Sequence, residues 1–175
     1  MDLALSTQYY LKAIDYYPYN LEFTIENLQY ALSYDPEHPQ ALCLLGQIYM
    51  YHLKEYDKAK RCFQQSIATD GNYPDNYRLL SILHIWLGEF SHAGRLLDYA
   101  CKRPGQSKDA LLRIKAMMWE YQGDFTKAKL LLKQAKLISQ QCEAISQIDA
   151  DLSRLRKKHR KMKKSIKKAR KVQRV

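Results

Sequence analysis

Histidine and cysteine are the side chains that most often hold metals or act as nucleophiles, and this chain has five of the first and four of the second. A zinc site needs these ligands clustered at short spacing. The histidines are instead scattered, at His38, His52, His84, His92 and His159. The cysteines also lack a CxxC pair, and they stand at Cys43, Cys62, Cys101 and Cys142. This spacing predicts reduced structural thiols and no metal site.

Catalytic motifs are also missing from the sequence. It has no glycine-rich phosphate loop, no nucleophile elbow and no HExxH pattern. Nearby pairs of an acid and a histidine, such as Glu55 with His52, stand on repeat surfaces, where charged residues are expected. We therefore predict a protein that is not an enzyme and that uses no cofactor.

Positive charge is concentrated at the carboxyl end of the chain. All eighteen acidic residues lie at or before Asp151, whereas the 22 residues from Arg154 to Val175 contain thirteen lysines and arginines. Residues 1–153 carry sixteen basic and eighteen acidic residues, a net charge of −2, so the overall +11 belongs to this basic tail. Its cations are Arg154, Arg156, Lys157, Lys158, Arg160, Lys161, Lys163, Lys164, Lys167, Lys168, Arg170, Lys171 and Arg174.

The same tail carries an apolar seam at alternating steps of three and four residues, which is a heptad pattern. The pattern runs through Ile145, Ile148, Leu152, Leu155, His159, Met162, Ile166 and Ala169, and its large apolar residues, Ile148, Leu152, Leu155, Met162 and Ile166, are the seam residues. No glycine or proline follows Gly123. We therefore expect one helix from about Ile138 to Gln173, roughly 50 Å long at 1.5 Å per residue. Its early part is expected to cap the preceding helices, and the rest to project as a basic amphipathic helix.

The charge of the tail limits what it can bind. Like charges flank the seam beyond Asp151, so self-pairing of the tail is disfavoured. Three anionic targets remain: an acidic helix of a partner protein, a nucleic-acid backbone and an anionic membrane surface. Phosphate binding has no use for an apolar seam in register, the tail has no aromatic residue for base stacking, and membrane-surface helices usually carry Trp or Phe. The seam favours the acidic helix, with nucleic acid second and membrane last. A solubilising or import-signal role for the basic run stays open.

The elements that precede the tail repeat about every 35 residues. Small residues recur at steps of 35, 34 and 35, at Ala31, Ser66, Ala100 and Ala135. Upstream of each lies a matching set, which in the second unit reads Leu42-x2-Leu45-Gly46-x2-Tyr49 and then Ala59-x3-Phe63. This pattern resembles the tetratricopeptide repeat, a helix-turn-helix unit in which small residues let the two helices approach each other.

The resemblance implies an all-α fold, a solenoid of three to four helical hairpins with a long basic C-terminal helix. We expect the solenoid over residues 1–138, with units at about 5–38, 39–73, 74–108 and 109–138. Residues 139–175 are then a capping helix that continues into the basic amphipathic helix. The first unit is the weakest match, because Pro18 and Asn20 occupy its turn and Thr24 replaces the small residue.

In stacked repeats of this kind the first helix of each unit lines a concave groove, so the resemblance also implies a partner-binding surface. The groove residues expected here are Tyr9, Tyr16, Gln47, Met50, Tyr51, Arg78, Ile82, Ile85, Trp86, Arg113, Met117 and Tyr121. The family's lysine, asparagine and arginine clamp for a terminal carboxylate is not matched, since Tyr9, Ala13, Cys43 and Gln47 occupy the corresponding positions.

The third unit contains a helix that is apolar on nearly every side, Leu79 to Leu87. Such a helix must be covered on both faces. Neighbouring units cover one face, and we expect an apolar segment of a partner to cover Ile82, Ile85 and Trp86. Coverage by the curl of the solenoid or by the chain's own last helix stays open.

These features predict a non-enzymatic adaptor or assembly factor within a larger complex, with protein partners at the groove and at the tail. Two other functions remain open: a nucleic-acid-associated protein anchored by the tail, and a secretion-type chaperone for an apolar client segment. No export signal or membrane span is visible, which predicts a cytoplasmic protein, or a nuclear one if the source is eukaryotic.

Overall fold

Helical hairpins account for the described chain. The computed structural model describes the backbone of residues 3–172 and the side chains of residues 3–165. The helices are α1 (Leu3–Tyr16), α2 (Leu21–Tyr34), α3 (Pro39–Ile48), α4 (Tyr56–Thr69), α5 (Pro74–Trp86), α6 (Phe90–Ala100), α7 (Lys108–Tyr121), α8 (Phe125–Ile138) and α9 (Cys142–Val172). Consecutive helices pack as the pairs α1–α2, α3–α4, α5–α6 and α7–α8.

Local sequence signals explain where these helices begin. The Asn20 side chain accepts a hydrogen bond from the backbone N–H of Phe23 at the start of α2, and Asp124 does the same for Lys127 at the start of α8. Pro39 begins α3, where its missing N–H has no cost. The starts of α2, α3 and α8 are therefore determined by residues at the N-terminus of each helix.

The repeat register is visible in the burial of the small residues. Ala31, Ser66, Ala100 and Ala135 are all fully buried. Gly46 shows why small residues are needed, because a Cβ added there would lie 2.7 Å from Cε1 of Phe63. The helices α3 and α4 can approach each other this closely only because α3 has no side chain at that point.

The turns of three hairpins use the left-handed backbone region at equivalent positions. Gly88 and Gly123 have φ values of +75° and +82°, respectively. In the second hairpin the equivalent residue is Lys54, which has φ of +58°. It ends a π-helical turn, Tyr49–Leu53, that continues α3. Tyr51 lies within this turn and is half-buried against the core.

The chain divides into two compact units, one formed by α1 to α6 and the other by α7 to α9. In the first unit, one core cluster is centred on α1 to α3 and a second on α3 to α5, with Phe63 and Leu83 fully buried in the latter. In the second unit, α7, α8 and α9 share a core that includes Leu132 and Ile148.

The start of the last helix differs from the sequence prediction. The sequence predicts a last helix that starts at about Ile138. In the structure α8 ends at Ile138, and the last helix, α9, begins only at Cys142. Ser139 adopts an extended conformation, and its hydroxyl donates a hydrogen bond to the Asp109 carboxylate at the start of α7. The break lets α9 turn back and pack on α8.

Candidate functional site

An aromatic surface lies on α3, its π-helical turn and α5. The ring of Tyr51 meets that of Trp86 edge-on, with centroids 5.4 Å apart. Trp86 is 38% exposed, and Ile82, one helical turn before it, is half-buried against the core cluster below. Gln47 and Arg78 precede Tyr51 and Ile82 by one turn on their helices and are also half-buried. We call these five residues the aromatic face.

Tyr17, just after α1, contacts the same π-helical turn that carries Tyr51. Its hydroxyl lies 3.4 Å from Nε2 of His52, and the two rings meet edge-on with centroids 5.8 Å apart. Burial raises the pKa of Tyr51, only partly offset by the positive charge of Arg78, so its phenol is neutral at physiological pH. The aromatic face therefore offers the rings of Tyr51 and Trp86 together with the neutral hydroxyl group of Tyr51.

Two of the predicted groove residues are part of the core instead. Met50 is fully buried and Ile85 is 1% exposed. Each lies next to a residue of the aromatic face in sequence, Met50 before Tyr51 and Ile85 before Trp86, and so points to another side of its helix. Met50 packs in the cluster that contains Phe63. The groove prediction is therefore corrected for these two residues.

Tyr9 and Tyr16 contact α2, the second helix of their own hairpin. Tyr9 stacks on Tyr34 of α2 with centroids 5.8 Å apart, and Tyr16 contacts Phe23 of the same helix at 5.4 Å. The assignment of these two tyrosines to the groove stays a prediction. Ten of the fourteen tyrosines lie before Asp57, and packing between α1 and α2 uses Tyr9, Tyr16 and Tyr34 among them.

In the second unit, α9 occupies predicted groove positions of α7. The Arg113 guanidinium donates hydrogen bonds to Gln147 at 2.9 Å and to Asp151 at 3.1 Å. Met117 is half-buried, and Tyr121 is 56% exposed. The chain's own last helix therefore contacts the predicted groove residue Arg113. What covers Ile82 and Trp86 stays a prediction.

Glu120 anchors α9 to α7, a contact that no motif in the sequence indicates. Its carboxylate accepts hydrogen bonds from Arg154 at 2.6 and 2.9 Å and from Lys158 at 3.0 Å. The residue is only 7% exposed. Burial alone would raise the pKa of Glu120, but the hydrogen bonds from the two cations outweigh it, and its pKa is lowered.

Most of the described part of the seam is used inside the chain. Ile148, Leu152 and Leu155 are buried in the core shared with α7 and α8, which corrects the expectation that they face a partner helix. His159 continues the seam by stacking on Phe125 of α8, with ring centroids 5.1 Å apart and planes inclined by 11°. Met162 is 37% exposed. Ile166 lies outside the residues whose side chains are described.

The cations of α9 fall into two groups with different surroundings. Arg154 and Lys158 pair with Glu120 on the α7 side. On the α8 side, a groove with a volume of about 360 Å³ runs between the two helices. It is lined by Phe125, Lys129, Leu155, Arg156, His159, Arg160, Lys163 and Lys164. Lys157 and Lys161 lie outside this groove, and both are exposed. The side chains of Lys167, Lys168, Arg170, Lys171 and Arg174 are outside the described part.

Of the histidines scattered along the sequence, His84 and His92 stack on each other with ring centroids 5.6 Å apart. Within residues 3–165, no three His, Cys, Asp or Glu side chains come together as a possible metal site. Burial raises the pKa of the Cys43 thiol to about 12 and that of Cys62 to about 11. Cys101 is half-buried and Cys142 is exposed.

None of the helices in the described range is both long enough and apolar enough to cross a membrane. The cytoplasmic location expected from the sequence stays a prediction.

Comparisons with solved structures identify the fold. The crystal structure of PilW, a type IV pilus biogenesis factor, superposes with a TM-score of 0.67 over 86% of this chain and 78% of PilW, at 17% identity. Yeast Tom70 has the same TM-score and identity over 87% of this chain and 33% of its own. The MamA protein has a TM-score of 0.64 over 95% of this chain and 93% of MamA, at 18% identity. These are tetratricopeptide-repeat proteins, so the all-α helical-hairpin solenoid expected from the sequence is confirmed.

Sequence comparisons reach a smaller part of the chain. No protein-family model matches it. The Protein O-mannosyl-transferase Tmtc3 of Drosophila melanogaster is 27% identical over 73 residues, which are 42% of this chain and 8% of that protein. The match therefore spans only a small fraction of the transferase.

Proposed function

We propose that this chain, which has the tetratricopeptide-repeat fold, is a non-enzymatic adaptor or assembly factor. In this proposal the aromatic face binds an apolar segment of one partner protein, and the basic face of α9 binds an acidic partner. Helical-repeat folds present extended surfaces built from successive hairpins, and such surfaces suit the binding of peptides and helices.

The observation that carries the proposal is the exposure of Trp86 beside Tyr51 and Ile82. A tryptophan that is 38% exposed and packed edge-on against a tyrosine is already held in place, so binding costs it little conformational entropy. Tryptophan, tyrosine and arginine are the residue types most enriched at the energetic centres of protein interfaces. Arg78 supplies the third of these types on the same helix as Trp86.

Polar groups around the aromatic face complete the kind of surface found at protein interfaces. Arg78 is oriented by hydrogen bonds to the Asp75 carboxylate, at 2.8 and 3.1 Å. Gln47 adds an amide one turn before Tyr51. An apolar centre with polar groups at its edge is the common arrangement of such sites. An apolar helix or extended segment with a few hydrogen-bonding groups fits this surface.

The comparisons support an assembly role at the level of fold alone. PilW is a pilus biogenesis factor, and this role is that of PilW, with which this chain shares the fold. The similarity to Tmtc3 covers 8% of that protein, so we do not extend its transferase activity to this chain.

The proposal is tested by capturing partners on the immobilised full-length chain and on two variants. Trp86→Ser removes the aromatic centre, whereas Leu87→Ser is a matched control because Leu87 is 40% exposed and lies next to it. We expect partner proteins identified by mass spectrometry to be lost with Trp86→Ser and kept with Leu87→Ser. For tests of the tail the chain is substituted and not truncated, because a truncation before Leu155 would remove a residue of the core.

Two results would contradict this proposal. If Trp86→Ser lowered the free energy of unfolding by several kcal/mol, as large truncations in a core do, Trp86 would be a packing residue. If both variants captured the same partners as the parent chain, the aromatic face would not be the binding site.

A second candidate function is association with nucleic acid, which the exposed cations of α9 favour. Arg156, Lys157, Arg160 and Lys161 are all exposed, and each could neutralise a phosphate. The capture experiment separates the two functions when it is repeated after nuclease treatment. Partners that depend on nucleic acid disappear after the treatment, whereas partners bound directly by protein contacts remain.

A further inference from the structure

The two sides of α9 differ in how their charges are compensated. On the α7 side, Glu120 accepts hydrogen bonds from Arg154 and Lys158, and Asp151 pairs with Arg113. On the α8 side, Asp149 near the start of α9 pairs with Lys136 of α8. Further along α9 the groove is lined by the cations Lys129, Arg156, Arg160, Lys163 and Lys164. Among the side chains described, no carboxylate pairs with any of these five. The groove is therefore the part of the α8 side that is left available to an external anion.

The floor of the groove between α8 and α9 is apolar. The imidazole of His159 stacks on the ring of Phe125, and Leu155 lies one turn earlier on α9. Lys129 stands on α8, whereas the other four cations stand on α9, so the positive charges lie on both sides of this floor. The volume of about 360 Å³ can accept one or two side chains of a bound segment.

We infer that this groove is the docking site for an acidic protein segment that carries an apolar anchor residue between its carboxylates. The inference rests on the proposed function, because it gives a location and a chemistry to the acidic partner of α9. The carboxylates pair with the five cations, and the anchor packs on the floor formed by Phe125, Leu155 and His159. Arg154 and Lys158 take no part, since Glu120 already holds them.

Protein is favoured over nucleic acid by the form of the groove. A phosphate backbone needs cations alone and gains nothing from an apolar floor. Base stacking needs a free aromatic face, and the ring of Phe125 is 6% exposed and covered by His159, so within the groove only the outer face of the His159 imidazole is left for a base. In an acidic protein segment, one aliphatic side chain can pack on the apolar floor while the carboxylates on either side of it pair with the cations of the groove.

The test compares two double variants of the full chain that change the net charge equally. Arg160→Glu with Lys163→Glu reverses two charges in the groove, and Lys157→Glu with Lys161→Glu reverses two exposed charges outside it. Binding is measured by fluorescence anisotropy with three probes. The first is a peptide with glutamates on both sides of one leucine, the second has serine in place of the leucine, and the third is oligothymidylate of equal charge.

Both variants lose the same long-range electrostatic attraction to the acidic peptide, so a difference between them reports on the groove itself. We expect the groove variant to bind the leucine peptide about tenfold more weakly than the control variant does. Replacing the leucine of the peptide by serine is expected to cost about tenfold in affinity for the parent chain, because the apolar contact is lost. Circular dichroism checks that both variants keep their helical content.

Several outcomes would overturn the inference. Equal losses in the two variants would mean attraction by overall charge without a defined site. Tighter binding of oligothymidylate, with no effect of the leucine, would assign the cations to nucleic acid. Absence of peptide binding at low salt would remove the acidic segment as a ligand. The capture experiment with Trp86→Ser tests the aromatic face independently of the groove. Failure of the groove inference therefore leaves the proposed function of the aromatic face to be decided by that experiment.

Discussion

Glu120 of α7 and Arg154 of α9 form a bidentate ion pair, with nitrogen-to-oxygen distances of 2.6 and 2.9 Å. The carboxylate side chain is 6% exposed, whereas that of Arg154 is 54% exposed. The pair joins the third-last helix of the chain to the first cation of the basic tail. It shows that the tail is in part a structural element of the second unit.

Loss of this ion pair is expected to destabilise the second unit. Glu120→Gln leaves Arg154 and Lys158 without their shared anion, and we expect the free energy of unfolding to fall by about 1 kcal/mol. The cost is moderate because both cations are more than half exposed and can be solvated. Urea denaturation followed by circular dichroism measures it. Glu26→Gln, at an exposed position of α2, is the control and should change stability little. Equal effects of the two substitutions would contradict the anchoring role.

The same carboxylate predicts a dependence of stability on pH. Because the pKa of Glu120 is lower in the folded chain than in the unfolded chain, its contribution is complete above the ordinary carboxyl pKa. The contribution is lost as the pH falls through the lowered pKa of the folded state. The difference in unfolding free energy between the parent chain and Glu120→Gln should therefore shrink on acidification. A difference that grew toward acidic pH would contradict this assignment.

Gly46 is expected to tolerate no side chain while Phe63 is present. A Cβ at position 46 would lie 2.7 Å from Cε1 of Phe63, so Gly46→Ala should destabilise the chain by about 1 to 3 kcal/mol through overpacking. Phe63→Leu shortens the opposing side chain and makes room. A double-mutant cycle should show that Gly46→Ala costs less in the Phe63→Leu background. Strictly additive effects would mean that the contact does not limit the approach of α3 and α4.

Lys54 stands where the next two hairpins have Gly88 and Gly123, and it has the same left-handed backbone conformation. For a residue other than glycine this conformation costs about 1 kcal/mol. Lys54→Gly should relieve this cost, offset in part by loss of the hydrogen bond from Lys54 Nζ to the Tyr51 carbonyl and by the greater freedom of glycine when unfolded. We expect an equal or higher melting temperature for Lys54→Gly. Lys54→Val, with a β-branched side chain, should lower it. A similar decrease for both would show that the lysine side chain determines the turn.

The repeat pattern could be predicted from the sequence because it depends on local chemistry. Small residues such as Ala31 and Ser66 recur where helices of one hairpin touch, and their period is independent of what surrounds the hairpin. Glycines at the turns, Gly88 and Gly123, mark the left-handed positions for the same local reason. Comparable reasoning could not find the π-helical turn, because Lys54 occupies its left-handed position in place of glycine.

The fate of the apolar and charged side chains depended on the tertiary structure. A heptad seam shows which side of a helix is apolar, but it does not distinguish a partner protein from the chain's own α7 and α8 as the surface that covers it. Ile148 and Leu155 are covered from within because the break after Ile138 lets α9 fold back. Likewise, composition established that the tail is basic. Only the fold placed Glu120 against Arg154 and Lys158, since a contact between residues more than thirty positions apart depends on how the helices pack.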